Sequence, residues 1–310
     1  MGKLAFIFAG QGAQKPGMGQ SLCAGSAAAR DIFERAENIR PGIKKLCFEG
    51  PAEALNETVN TQPALFTAEA AAHAALVEAG VEPELTAGFS AGEYGALYGA
   101  GVLGFEDALR LIMARAAHMQ RAAEARPGGM LALIGGTAEA VQALCEDAAE
   151  AGVILPVNYN CPGQTVVAGE NPAIERAEGL AKERRLRAVR LAVSGAFHSP
   201  LMAEAAKAFE ADLAAAAFEA PKIPIVSNVT AQPMGREDFA ALEAAQVKSP
   251  VRWEESVRTL MELGADAFVE VGPGKTLAGF LKRIDRHIPV LSAEDMEGVA
   301  AVAAAHKGGA

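Results

Sequence analysis

The chain has 310 residues, 51% of them hydrophobic with alanine heavily represented, and a formal net charge of −10. That length suits about two domains, or one large domain carrying an insertion, and it buries a substantial core without staples. The acidic balance argues against nucleic acid as the main partner. No apolar run is long enough to span a membrane, and Met1–Ala9 lacks a signal-peptide cleavage pattern, so a cytoplasmic location with no membrane partner is expected.

Leu4 to Ala9 is a compact apolar run that stops at Gly10-Gln11-Gly12-Ala13-Gln14, which predicts a buried strand and a tight loop. A helix with Ala and Leu spacing is expected over roughly Gln62 to Ala79, followed by a short strand from Glu84 to Phe89. Phe105 to Ala123 has Leu109, Ile112, Met113, Ala116 and Met119 at helical spacing and predicts an amphipathic helix. Arg126-Pro127-Gly128-Gly129 breaks the pattern. Beyond it the expected order is a strand (Met130–Ile134), a helix to about Ala151, strands near Val153–Tyr159 and Thr165–Ala168, a helix to Arg184 and a strand Ala188–Val193. That βαββαβ order predicts a small inserted ferredoxin-like domain at 127–196, within an α/β parent domain formed by 1–126 and 197–310, with the cleft at their junction. Ser199-Pro200 starts a helix. Strands at Ile223–Ser227 and Ala267–Val271, with a helix at Trp253–Leu263 between them, return the chain to a parallel sheet.

Several motifs imply less than their composition suggests. Gly272-Pro273-Gly274-Lys275-Thr276 ends like a P-loop, but Val269 stands where the first glycine belongs. Gly10-Gln11-Gly12 opens like a dinucleotide fingerprint, but Lys15 replaces the third glycine, leaving only a backbone anion site open. Cys23, Cys47, Cys145 and Cys161 are scattered, with no C-x-x-C pair and no histidine at ligand spacing, so neither a metal nor a disulfide is expected. The basic run Lys182 to Arg190 reads either as a solvated helix end and edge strand or as a surface for an acidic partner.

Gly88-Phe89-Ser90-Ala91-Gly92 is a G-x-S-x-G sequence between a short strand and an alanine-rich helix, the context of a nucleophile elbow. A serine hydroxyl needs a base within hydrogen-bond reach. Of the five histidines, His73 and His118 lie in helices and His287 and His306 in the charged C-terminal region. His198 falls in Ser194-Gly195-Ala196-Phe197-His198, a loop of small residues at the domain boundary, and is the leading candidate. Arg115 lacks the acidic neighbours that pair with Arg110, and its stem lies beside an apolar stripe. It reads either as a snorkelling arginine or as the partner of a substrate carboxylate.

Taken in order from Leu4 to about Val290, Gly10–Gln14, Gly88–Tyr94, Arg115 with Met119-Gln120, Asn158–Gln164, Ala196–Pro200, Gln246 before Pro250-Val251-Arg252-Trp253, and Glu270–Gly274 resemble the malonyl-CoA:acyl carrier protein transacylase family. The resemblance implies a large α/β-hydrolase-like domain with a parallel sheet, and malonyl-CoA and acyl carrier protein as substrate and partner. It implies that Ser90 is acylated, that His198 is its base, and that the backbone N–H groups of Gln11 and Ala91 form the oxyanion hole. Arg115 would hold the malonyl carboxylate, and the main-chain carbonyl of Gln246 would orient His198, giving a dyad with no carboxylate third member. Phe197 resembles the malonyl-selective form, its bulk disfavouring a branched acyl group. Phe89 stands where the family usually has histidine, which leaves its part in substrate affinity open, and Ala91 replaces the commoner leucine. Thioester exchange needs no cofactor, and a monomer is expected. The competing readings are a trans-acting malonyl transferase for a polyketide synthase, a serine esterase or thioesterase, and a non-enzymatic carrier-binding module.

Overall fold

The computed structural model describes residues 2–308; residues 1, 309 and 310 of the expected parent domain lie outside them. Its strands are β1 (Lys3–Phe8), β2 (Leu85–Gly88), β3 (Gly128–Ile134), β4 (Ile154–Cys161), β5 (Gln164–Glu170), β6 (Arg187–Arg190), β7 (Ile225–Val226), β8 (Ala265–Val271) and β9 (Val290–Ala293). They form two sheets. One is parallel with strand order β7-β2-β1-β8-β9. The other is antiparallel with order β4-β5-β3-β6.

The apolar run at the start of the chain follows from the parallel sheet being covered on both faces. Alternate side chains of β1 enter opposite layers: Phe6 and Phe8 join the core that contains Phe66 and Leu76 of the helix Thr58–Glu78, while Ala5 and Ile7 pack with Trp253, Leu260 and Leu277. The helix Thr58–Glu78 is buried around nearly its whole circumference, as an apolar helix between layers must be. It starts four residues before the expected Gln62. Pro63 sacrifices one intrahelical bond without ending the helix, and the extra turn fixes the direction of Gln62.

Between β3 and β6 the chain runs strand, helix Ala138–Ala148, β4, β5, helix Asn171–Glu183, strand, the order expected. Leu131 and Leu133 of β3 face these two helices, in a core with Val141, Leu144 and Ile174. The alternate residues Met130 and Ala132 belong to the main core and line the central cavity. The antiparallel sheet therefore lays one face over the parallel-sheet layer. A parallel bridge between Asn158 and Val251, with Tyr159 N–H donating to the Val251 carbonyl at 2.9 Å, fastens the two together.

Two strand expectations need correction. The strand expected at Ala188–Val193 pairs regularly only over Arg187–Arg190; beyond it Leu191 N–H still donates to the Met130 carbonyl at 3.0 Å, and Leu191 and Val193 line the cavity. The strand expected at Ile223–Ser227 pairs only over Ile225–Val226, so that Ser227 and Asn228 turn towards the end of β2.

Candidate active site

The end of β2 turns directly into a 3-10 turn, Ser90–Gly92, and the helix Glu93–Gly99. The two glycines are there for space: a Cβ on Gly88 would lie 2.0 Å from the Gly92 carbonyl carbon, and one on Gly92 would lie 2.3 Å from the Phe8 carbonyl oxygen. Between them Ser90 is held at φ 54°, a left-handed conformation that costs a serine about 1–2 kcal/mol. Asn228 holds it there. Its Oδ1 accepts the Ser90 N–H at 2.7 Å and its Nδ2 donates to the Gly88 carbonyl at 2.5 Å.

The structure brings His198 to the serine. His198 Nε2 lies 2.6 Å from Ser90 Oγ. On the other side of the ring, Nδ1 donates to the main-chain carbonyl of Gln246 at 2.9 Å, which leaves Nε2 free to accept the serine proton. No carboxylate occupies the third position. Burial and the nearby Arg115 charge pull the His198 ring down to about 4, against the Gln246 carbonyl bond that favours the charged form. The imidazole is consequently neutral, and able to act as a base, near neutral pH.

Arg115, in the helix Phe105–Ala125, is fully buried, so the snorkelling alternative is corrected. The apolar stripe faces the core, and the guanidinium points along it to the serine. Nη2 lies 3.3 Å from Ser90 Oγ and donates to Gln246 Oε1 at 2.7 Å; Nη1 donates to Gln62 Oε1 at 2.7 Å. Gln246 thus serves twice, its carbonyl on His198 and its side chain on Arg115. Its Nε2 donates to the Ser90 carbonyl at 3.0 Å and to the buried carboxylate of Glu93, whose other oxygen accepts the Asn228 N–H at 3.0 Å. A second buried carboxyl, Glu243, lies on the Gln246 helix. Burial pushes Glu93 up, assisted by the charge of Glu243, and lifts Glu243 to about 7 against the pull of Arg115.

A cavity of about 260 Å³ opens on this serine between the two sheets. Phe89, Phe197 and His198 line it, as does Gln11 in the loop after β1. Phe89 packs edge-on against Trp253, with ring centroids 5.6 Å apart, and lies 6.3 Å from Phe280. Ala91 is buried beneath the turn. The Gly272-Pro273-Gly274 loop has a carboxylate of its own chain where a phosphate would sit, because Glu270 accepts the Leu277 and Ala278 N–H groups at 3.0 and 2.8 Å. All four cysteines are free and buried.

Sequence reasoning did not find Gln62, Asn228, Glu93 or Glu243. Asn228 had a usable signal, since it directly follows a strand at the carboxyl end of a parallel sheet, where binding groups collect. Gln62 had a weaker one, as a lone amide in a largely apolar helix.

The site thus joins a buried serine and histidine at the carboxyl end of a parallel sheet with a main-chain carbonyl on the histidine and an arginine beside the serine. Residues 5–309 fit the acyl transferase domain. The chain belongs to the acyl transferase family. This acyl transferase is 40% identical over 301 residues to the malonyl CoA-acyl carrier protein transacylase of Bacillus subtilis (strain 168), covering 96% of this chain and 95% of that one. It superimposes on the crystal structure of malonyl CoA-acyl carrier protein transacylase from Clostridium perfringens with a TM-score of 0.94 at 36% identity, covering 99% and 98% of the two chains. A malonyl-transacylase solved in complex with a type II PKS acyl-carrier protein matches at a TM-score of 0.94 and 36% identity, covering 98% of this acyl transferase and 99% of that chain.

Proposed function

We propose that this acyl transferase moves a malonyl group from malonyl-CoA to the phosphopantetheine thiol of an acyl carrier protein, through an ester on Ser90, supplying malonyl carriers for fatty acid synthesis. The observation that carries the reading is the 3.3 Å approach of Arg115 Nη2 to Ser90 Oγ. A fixed cation at that distance lies within reach of the free carboxylate of a malonyl group bound to that oxygen, and an acetyl group has nothing to offer it.

In the first half-reaction Ser90 Oγ attacks the thioester carbon as its proton passes to His198 Nε2. The carbonyl electrons move onto oxygen, towards the Gln11 and Ala91 N–H groups. As the carbonyl re-forms, the C–S bond breaks and the leaving sulfur takes the proton back from His198. In the second half the carrier thiol gives its proton to His198 and attacks the ester carbon, and Ser90 leaves with that proton. One thioester is consumed and one made, so the exchange draws on no resident cofactor or metal. Phe89 and Phe197 supply apolar walls of the acyl pocket.

The large part, 1–126 and 197–310, is read as an α/β-hydrolase-like domain and 127–196 as ferredoxin-like. What supports the second reading is the insertion's strand order, which is 2-3-1-4 when its own strands are counted along the chain. Arg187 and Arg190 on β6 are exposed, while Arg184 pairs with Asp147. This face is the proposed landing surface for an acidic carrier. The enzyme is read as a cytoplasmic monomer; among the described residues no helix is long and apolar enough to cross a membrane.

A polyketide carrier is the second reading, favoured by the relative solved with a type II PKS carrier. The test is incubation with malonyl-CoA and holo acyl carrier proteins of both kinds, followed by mass. A malonyl adduct on Ser90 that passes to a carrier is expected, and the faster carrier decides between the two readings. Free malonate as the main product would overturn transfer in favour of hydrolysis.

A further inference from the structure

The helix Phe239–Gln246 sends two polar side chains inward one turn apart, Glu243 and Gln246. Gln246 Oε1 receives Arg115 Nη2 at 2.7 Å, and the i, i+3 spacing puts Glu243 on the same side of the helix, where its charge acts on the guanidinium without direct ion-pair contact. Glu243 is fully buried, and the group placed to bond it is the buried Tyr94 hydroxyl, which lies outside good hydrogen-bond geometry; Arg115 Nε is without a partner. The groups that do bond Arg115 are the neutral oxygens of Gln62, Gln246 and Ser90. A buried cation held by neutral dipoles alone is costly, so its charge must be offset by nearby acids.

The groups facing Glu243 are few. From the helix Phe105–Ala125 comes Arg115, and from Glu93–Gly99 come Tyr94 and Glu93, both fully buried. The helix Ala203–Ala214 packs on the same element, but its Glu210 lies with Lys248 along an outer groove floored by Ala240, Ala241 and Ala244, a different face of that helix. Its Asp212 is already paired with His118 at 2.7 Å.

We infer that Glu243 sets how firmly Arg115 holds a carboxylated acyl group: it is the resident counter-charge of the guanidinium and takes up a proton when the substrate carboxylate arrives. The inference rests on the malonyl-transfer reading above. With Glu243 ionised, the malonyl carboxylate meets a guanidinium already neutralised and a like charge at short range in a desolvated site. With Glu243 protonated, the cation is free for the substrate. Burial sets this carboxyl at about 7, so either form is reached close to neutral pH. Glu93 and Glu243 share one environment, and the proton is taken up by the pair. The preference for malonyl over acetyl should then fall as pH rises, because only the malonyl ester carries the competing charge.

The experiment measures kcat/KM for Ser90 loading from malonyl-CoA and from acetyl-CoA across the neutral range, for the unaltered enzyme and for Glu243→Gln. The two donors share phosphates, thioester and leaving thiol, so their ratio isolates the carboxylate. The unaltered ratio is expected to fall roughly fivefold or more between about pH 6 and about pH 8.5. In Glu243→Gln it should stay at the level the unaltered enzyme shows in acid. An unaltered ratio that does not change, or a variant that keeps the unaltered slope, overturns the inference while leaving malonyl transfer intact. An enzyme that loads no malonyl at any pH overturns the transfer reading, and the inference with it. Calorimetry does not depend on the variant folding: malonyl-CoA binding to Ser90→Ala in two buffers of different ionisation enthalpy should take up part of a proton that acetyl-CoA does not. Equal proton uptake for the two ligands overturns the inference.

Discussion

Ser90 and His198 face each other at 2.6 Å from two backbone positions that are both left-handed, φ 54° and φ 62°. The region is uncommon for residues other than glycine, and each position costs about 1 kcal/mol or more. Asn228 holds the serine and the Gln246 carbonyl holds the histidine. The strain aims both side chains at a single point between the sheets.

Removing Asn228 should therefore release the serine. Asn228→Ala strands the Ser90 N–H and the Gly88 carbonyl, each buried, at about 1–3 kcal/mol apiece. Turnover of malonyl transfer is expected to fall at least tenfold while KM for malonyl-CoA moves little, because the lost bonds are to the backbone of the elbow. Steady-state kinetics alongside a melting curve checks this. An unchanged kcat in a destabilised protein would show that the elbow holds itself.

Arg115→Ala should separate the acyl groups. A charge-assisted hydrogen bond contributes about 1.5–3 kcal/mol. Malonyl loading should therefore drop by one to two orders of magnitude relative to acetyl loading, measured by competition and intact mass. Arg115→Lys keeps the charge but not the fork, and should recover only part of the preference. Equal loss for both donors would count against the carboxylate clamp.

Much of this site was legible along the chain because its strongest signals are local. The elbow pentapeptide announces Ser90, the small-residue boundary loop isolates His198, and the absence of acidic neighbours singles out Arg115. The element order of the insertion was legible for the same reason, since hydrophobic period changes at each turn. What was not legible joins distant segments. Asn228 reaches Ser90 across 138 positions and Gln62 reaches Arg115 across 53. Neither contact leaves a periodic trace. Leu191 and Val193 fall within the expected strand, but regular pairing ends at Arg190 and both line the cavity. Nothing local marks Glu93 or Glu243 as buried; only tertiary packing encloses them.

Two histidines should make the protein acid-labile. Burial pulls both His73 and His198 down to about 4. The unfolded chain binds these protons near its ordinary value of about 6.5. Between those values the unfolded state holds more protons, so stability is full above about 6.5 and is lost as pH falls towards 4. Each buried histidine should remove about 2 kcal/mol between pH 7 and pH 5. His73 packs between Phe6 and Tyr98, with ring centroids 6.0 and 5.3 Å away, and is remote from the chemistry. His73→Leu should therefore flatten roughly half of this acid slope in urea titrations. A variant with the same slope as the unaltered protein would show that other groups carry the acid response.

The acyl pocket's selectivity should depend on Phe197 more than on Phe89. Phe197 directly precedes His198 and lines the cavity, and its ring fills the space beside Gly195, where a Cβ would lie 2.6 Å from it. Phe89 packs its edge on Trp253 and its flank towards Phe280, so its ring is held against those neighbours. A single methyl branch is worth about 1–3 kcal/mol of discrimination in an apolar pocket. Phe197→Ala should accordingly lower the preference for malonyl over methylmalonyl by roughly tenfold or more, read from competitive loading of Ser90. Phe89→His should leave that preference where it is and act on KM, because the new ring polarity changes the wall and not the room beside the α-carbon. If Phe89→His relaxed the branch discrimination and Phe197→Ala did not, the two walls would have to exchange roles.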